Sequence, residues 1–182
     1  MNRDLPMWLT MSRMAAAPVV IFILMTGWIW AGWAAAIVFI LASITDWLDG
    51  YFARKYNLES NMGKFMDPIA DKILVLGAIL MLLDMNRVDP VMVFLFLARD
   101  IFIGGIRSVA AANQIIIAAK PFGKWKTALQ MAAIPCMLIY DRLGGIPLGD
   151  LGYYLLWISV ALSLVSGYEY TVAYYREVRP KA

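Results

Sequence analysis

Residues 14–45 read MAAAPVVIFILMTGWIWAGWAAAIVFILASIT, and no charged side chain occurs among them. One helix needs only about 20 apolar residues to cross a hydrocarbon core roughly 30 Å thick. The run is therefore too long for a single span. Gly27 and Gly32, with Trp28, Trp30 and Trp33 beside them, mark a tight turn at an aromatic interfacial belt. This places a first span at 15–28 and a second from residue 33 to beyond Asp49.

The composition of the whole chain agrees. Of its 182 residues 62% are hydrophobic and only 16% charged, with a mean hydropathy of +0.69. Soluble domains average about 45–50% apolar and about 25% charged residues. A water-soluble fold of this size has nowhere to place so much apolar surface. Disordered chains are polar and charge-rich, so disorder is excluded as well. The single cysteine, Cys136, rules out an internal disulfide framework and a cysteine-cluster metal site. The lack of histidine excludes a Ser-His-Asp or Cys-His nucleophile pair and a histidine zinc site. Chemistry in this chain must run on carboxylates, hydroxyls, lysines and arginines.

Four more apolar segments follow, at 69–83, 90–112, 127–140 and 151–170, separated by turn-rich clusters at 84–90 and 141–150. The expected fold is an all-α integral membrane protein with six transmembrane helices, forming a single domain over 1–182. Residues 5–13 carry Leu5, Trp8, Leu9 and Ser12 at helical spacing. They read either as an N-terminal interfacial helix or as an extension of the first span. Asp4 and Pro6 interrupt the N-terminal stretch, so no cleavable signal peptide is expected.

Six spans put both termini on one side. Thirteen of the 16 basic residues fall on that side, Arg87 and Arg142 fall opposite, and Arg99 lies within a span. The positive-inside rule then places the termini and the basic loops in the cytoplasm, and a bacterial cytoplasmic membrane is expected. The basic face also favours anionic headgroups, at about 1 kcal/mol per residue near the surface.

Charge reappears at the end of the second span in a distinctive pattern. Asp46-Trp-Leu-Asp49-Gly50-Tyr-Phe-Ala53-Arg54 is followed after eight residues by Gly63-Lys-Phe-Met-Asp67-Pro-Ile-Ala-Asp71. Asp46 and Asp49 are three apart and Asp67 and Asp71 four apart, so each pair shares a helical face. Gly50 and Ala53 leave room for a ligand against the backbone. Two antiparallel helices joined by a short loop would gather all four carboxylates. Such a cluster needs positive charge among it, because bare carboxylates raise one another's pKa and are costly at the bilayer. Oxygen-only ligation selects hard cations, Mg²⁺ or Mn²⁺. Four shared carboxylates suit two ions about 3.5–4 Å apart, an arrangement used in phosphoryl transfer. Taken singly the acids have plainer readings: Asp67 before Pro68 also reads as a helix N-cap, and Asp46 or Asp49 could pair with Arg54, Lys55 or Lys72.

The pattern Asp46-x2-Asp49-Gly50-x2-Ala53-Arg54-x8-Gly63-x3-Asp67-x3-Asp71 resembles, at every fixed position, the signature of the CDP-alcohol phosphotransferase family. The resemblance implies that Asp46, Asp49 and Asp67 are metal ligands and that Asp71 is both ligand and general base. It implies that Gly50, Ala53 and Arg54 contact the cytidine nucleotide and its diphosphate. Ser60 in the intervening loop and Thr10 are further nucleotide-site candidates on position alone. The chemistry implied is attack by an acceptor alcohol on the β-phosphorus of a CDP-linked donor, with CMP leaving. A homodimer with one site per protomer is implied too, and no nucleic-acid partner.

Other residues must select the acceptor. Arg99-Asp100 and Arg107 lie in the fourth span, and Lys120, Lys124 and Lys126 follow. Arg99 and Arg107 are eight apart, about two turns, and fall on roughly one face. Arg99, Arg107, Lys124 and Lys126 suit an acceptor that carries its own phosphate. The plainer reading pairs Arg99 with Asp100 or Asp71 and leaves the lysines solvated. The stretch Ala98-Arg99-Asp100-x6-Arg107, with Gly123-Lys124-x-Lys126-Thr127-x2-Gln130, resembles the bacterial phosphatidylglycerophosphate synthase subgroup. That implies CDP-diacylglycerol as donor and sn-glycerol 3-phosphate as acceptor. Asp100 is a departure, standing where the subgroup more often has glutamate and so reaching less far. Inositol phosphate is the nearest rival acceptor. A small cation transporter is the rival of another class, opposed by the boundary position of the acids and the lack of an inverted repeat. A catalytically dead scaffold is opposed by the intact motif.

Overall fold

The computed structural model describes residues 5–55, 61–113, 121–143 and 145–178; the side chains of 5–10, 46–55, 61–68, 71, 121–122 and 142–143 lie outside that description. The described residues form six α-helices: α1 (Leu5–Met25), α2 (Ala31–Lys55), α3 (Asn61–Asp84), α4 (Pro90–Ala112), α5 (Pro121–Ile139) and α6 (Leu148–Val178). A two-residue antiparallel ladder joins α5 to α6, pairing β1 (Arg142–Leu143) with β2 (Ile146–Pro147).

Helix direction follows from contacts at one end of the bundle. Gly32, at the start of α2, lies so close to α5 that a Cβ there would sit 2.4 Å from the Leu138 carbonyl oxygen. Arg87, between α3 and α4, donates from Nη1 to the carbonyls of Met137 (2.8 Å) and Leu138 (2.7 Å). Its guanidinium also lies over the Tyr140 ring, 4.5 Å from the centroid. The α1–α2, α3–α4 and α5–α6 connections therefore share one end. The C-terminus of α2, the N-terminus of α3 and the junction of α4 with α5 belong to the other.

The core between the helices is apolar and contains Val20, Phe39, Leu74, Leu82, Met92, Ile134, Met137 and Leu156, all at most 1% exposed. The outer surface is apolar too: Phe22 is 71% exposed, Ile29 84% and Ile101 74%. Water does not tolerate such a surface over a whole bundle, whereas lipid does. The chain is an α-helical membrane protein. Among the described residues α6 is long and apolar enough to cross a bilayer, and Met11–Met25 and Ala31–Thr45 are shorter apolar stretches. The shortest helix, α5, has 19 residues, about 28 Å at 1.5 Å per residue.

Several sequence expectations change. No separate interfacial helix precedes the first span, because α1 runs unbroken from Leu5. Arg13, near the middle of α1, is buried at 3% exposure. The third helix begins at Asn61, so Asp67 is not its N-cap and Pro68 falls within the helix. The fifth begins at Pro121, which puts Lys124 and Lys126 on α5 itself and not in a loop. Gly27, at φ +64°, makes the expected turn, but Gly32 serves close packing of α2 on α5. The fourth helix has the expected bounds, with Asp89 as N-cap and Pro90 in the first turn. The Tyr153 hydroxyl, from α6, donates to Asp89.

Two glycine substitutions separate packing from helix propensity. Gly32→Ala should lower stability by about 1–3 kcal/mol through overpacking. Gly105→Ala on α4, where a Cβ meets nothing within 4 Å, should be neutral or stabilising by up to about 1 kcal/mol. Thermal unfolding in detergent checks the pair, and equal shifts would contradict the packing argument.

Candidate active site

The motif aspartates lie near the C-terminus of α2 and near the N-terminus of α3. Asp49 lies six residues before the end of α2 and Asp67 six residues after the start of α3. Asp46 lies nine before that end and Asp71 ten after that start. At 1.5 Å per residue, Asp46 and Asp49 lie about 14 and 9 Å from the end of α2, and Asp67 and Asp71 about 9 and 15 Å from the start of α3. Gly50, Ala53 and Arg54 complete the last turns of α2. The side chains of Asp46, Asp49, Ala53, Arg54, Asp67, Asp71 and Thr10 lie outside the described residues, and so does Ser60 as a whole. Thr10 belongs to the N-terminal half of α1.

A cavity of about 620 Å³ is enclosed by α3, α4, α5 and α6. Arg99, Arg107, Lys124 and Lys126 all line it, and Lys72 joins them from α3. Asp100 is the one acid in the described lining, so five cations face a single carboxylate. Asp71 immediately precedes Lys72 and stands one helical turn before Val75, another lining residue.

The cations divide into two layers. In the inner layer the Asp100 carboxylate is held between Lys126 Nζ at 2.6 Å and Arg99 Nη1 at 2.9 Å. Arg99 also donates from Nε to the Ser163 carbonyl at 3.0 Å and from Nη2 to Ser166 Oγ at 3.5 Å, tying α4 to α6. The Lys126 side chain is only 7% exposed, and its Nζ lies 5.8 Å from the Phe96 ring centroid. Ser159, fully buried on α6, donates to the Lys126 carbonyl at 3.0 Å. One carboxylate thus joins α4 to α5, and its arginine partner continues the link to α6. In the outer layer Lys72, Arg107 and Lys124 are exposed. Arg107 stacks over Tyr170 with 5.3 Å between its guanidinium carbon and the ring centroid. Gly104 leaves the wall open there, since a Cβ at that position would lie 3.5 Å from Lys72 Nζ.

Three exposed cations beside a partly neutralised ionic layer can hold a small anion. Phosphate is a good match, because Arg107 offers a planar fork and the lysines mobile point charges. Of the four motif aspartates, Asp71 is next in sequence to Lys72, which lines this space.

A family model described as CDP-alcohol phosphatidyltransferase matches residues 3–165. The chain belongs to this family. It is similar to a protein of Rickettsia bellii named CDP-diacylglycerol–glycerol-3-phosphate 3-phosphatidyltransferase, with 41% identity over 170 residues that cover 93% of this chain and 94% of the relative. A Bacillus subtilis protein of the same name is 37% identical, covering 92% and 93% respectively. A rice protein named cardiolipin synthase (CMP-forming) is 34% identical over 96% of this chain and 57% of its own length.

Sequence reasoning placed Lys72 only among possible partners of the acids and did not single out Tyr170 or Ser166. Lys72 carried a signal, since it follows Asp71 directly. Tyr170 and Ser166 carried none, because only the packing of α6 on α4 brings them to the cavity.

The Asp100 bridge is open to test. Asp100→Asn should lower stability by about 2 kcal/mol, since it leaves two largely buried cations without their carboxylate. That figure is at the low end for buried pairs because Asp100 retains 25% side-chain exposure. Adding Lys126→Met should restore part of the loss in thermal unfolding, and no recovery would show that the two residues act independently.

Proposed function

We propose that this protein transfers the phosphatidyl group from CDP-diacylglycerol to sn-glycerol 3-phosphate, forming phosphatidylglycerophosphate and releasing CMP. The observation that carries the reading is Lys72, which directly follows the last motif aspartate, Asp71, and lines a cavity rich in cations. The names of its relatives in Rickettsia and Bacillus support the same reaction.

Members of the family use divalent metal ions. The donor set here fits them: Asp46, Asp49, Asp67 and Asp71 offer only hard oxygens, near the facing ends of two consecutive helices in sequence. We assign two ions, Mg²⁺ or Mn²⁺, to these four residues. Bound there, such ions supply charge neutralisation for the diphosphate and for the departing nucleotide.

The chain's own residues do the rest. Gly50 and Ala53 give the nucleotide close access to α2, and Arg54 binds the diphosphate. Thr10 and Ser60 supply hydroxyls to the nucleotide. Arg107 and Lys124 hold the acceptor's phosphate, while Arg99 and Lys126, fixed on Asp100, keep the floor of the site positive. Asp71 takes the proton from the acceptor hydroxyl. That oxygen then bonds to the phosphatidyl phosphorus as the bond from phosphorus to CMP breaks. We place the protein in a bacterial cytoplasmic membrane with six crossings, both termini and the site on the cytoplasmic side, and as a homodimer with a site in each protomer. The support is the excess of basic residues at that end.

Detergent-purified protein given CDP-diacylglycerol should release CMP with glycerol 3-phosphate and Mg²⁺ or Mn²⁺, and EDTA should abolish release. Release with inositol phosphate instead would replace the acceptor. No release with any alcohol would return the weight to a transporter or scaffold.

Two variants divide the roles. Asp71→Asn should reduce turnover by at least about 10²–10⁴-fold and leave a folded protein that still binds CDP-diacylglycerol. Arg107→Ala should raise KM for glycerol 3-phosphate about 10–100-fold, as expected for one lost charge-assisted hydrogen-bonding group. KM for the donor should stay within about twofold. Equal effects on both substrates would remove Arg107 from the acceptor site.

A further inference from the structure

The cavity is too large and too apolar for the acceptor alone. A volume of about 620 Å³ lies within the roughly 300–1,000 Å³ that suits a drug-sized ligand, whereas glycerol 3-phosphate is a three-carbon ester. Beneath the cations the wall becomes a strip formed by Val75, Leu76 and Ile79 on α3 and by Phe96 and Leu97 on α4. An apolar wall of this kind favours contact with a hydrocarbon chain. It also opens sideways. Ile101 lines the cavity and is 74% exposed on the outer apolar surface of α4. A chain can therefore enter from the bilayer while a charged group remains among Lys72, Arg107 and Lys124.

We propose that this cavity binds a single-chain lipid phosphomonoester from the membrane, phosphate on Arg107 and Lys124 and chain along Val75, Leu76, Ile79 and Leu97, and that such lipids compete with the acceptor. The proposal rests on the reading of Arg107 and Lys124 as the acceptor-phosphate site. The occupant follows from two complementarities, a cationic mouth for a phosphate and one apolar strip for one chain. The enzyme would then sense single-chain phosphate lipids in its own membrane through its acceptor site.

The test measures CMP release by the full-length protein at varied glycerol 3-phosphate, with inorganic phosphate or n-alkyl phosphates from ethyl to octyl as inhibitors. Every inhibitor should compete with glycerol 3-phosphate and not with CDP-diacylglycerol. The inhibition constant should fall about two- to fourfold for each methylene added, as burial of a methylene allows. Leu76→Phe and Leu97→Phe, which fill the strip, should each flatten that dependence to under about twofold across the series. KM for glycerol 3-phosphate and inhibition by inorganic phosphate should be unchanged in both. Octyl phosphate no better than ethyl, with inorganic phosphate still competing, would overturn the lipid site and spare the acceptor reading. Competition with CDP-diacylglycerol would assign the strip to the donor's chain and overturn it also. Failure of inorganic phosphate to compete would overturn the acceptor reading and the lipid site together.

Discussion

A charge inside a membrane bundle must be compensated, and Asp100 is where this protein meets that requirement. Two helices approach it with cations, Lys126 from α5 and Arg99 from its own α4, and Arg99 reaches on to the Ser163 carbonyl of α6. None of these groups is tolerable alone at low exposure, so the three helices hold one another in register. The cavity depends on that register. Its outer cations stand above a layer whose charge is already partly neutralised, which leaves Lys72, Arg107 and Lys124 to face an incoming anion.

Small residues act in opposite senses around the bundle. At Gly32 the missing side chain lets α2 approach the backbone of α5 closely, and at Gly152 it does the same for α6 against Ala133 and Met137 of α5. At Gly104 and Gly105 no backbone takes up the space. Gly104 lines the cavity beside Lys72 of α3, whereas Gly105 faces open space. Glycine in an apolar helix thus has no fixed meaning. The partner helix decides whether it closes an interface or opens a cavity.

That dependence marks the limit of what the sequence could say. The bounds of α4 were legible because Asp89-Pro90 carries a local start signal. The starts of α3 and α5 were not, since hydropathy reports where lipid begins and not where helical hydrogen bonding does; 61–68 and 121–126 are polar yet helical. That two consecutive helices carry the four aspartates was legible, because the motif closes one apolar segment and opens the next. The pairing of Arg99 with Asp100 was open as one alternative, but the burial of Lys126 against the same carboxylate requires α5 to pack where it does. Tyr170 and Ser166 required α6 as well.

The two halves of the candidate site depend on each other electrostatically. Four aspartates gathered as proposed would repel one another, and five cations facing one acid among the described lining residues would do the same. Placed side by side, each group lowers the cost of ionising the other. Lys72 sits at the seam, following an aspartate of the first group and lining the space of the second. A substrate phosphate entering the cavity adds negative charge where the cations are in excess, and a metal ion adds positive charge where the acids are. The same imbalance that makes each half unstable alone gives each its ligand, and a reaction between two phosphate-bearing substrates belongs at the boundary between them.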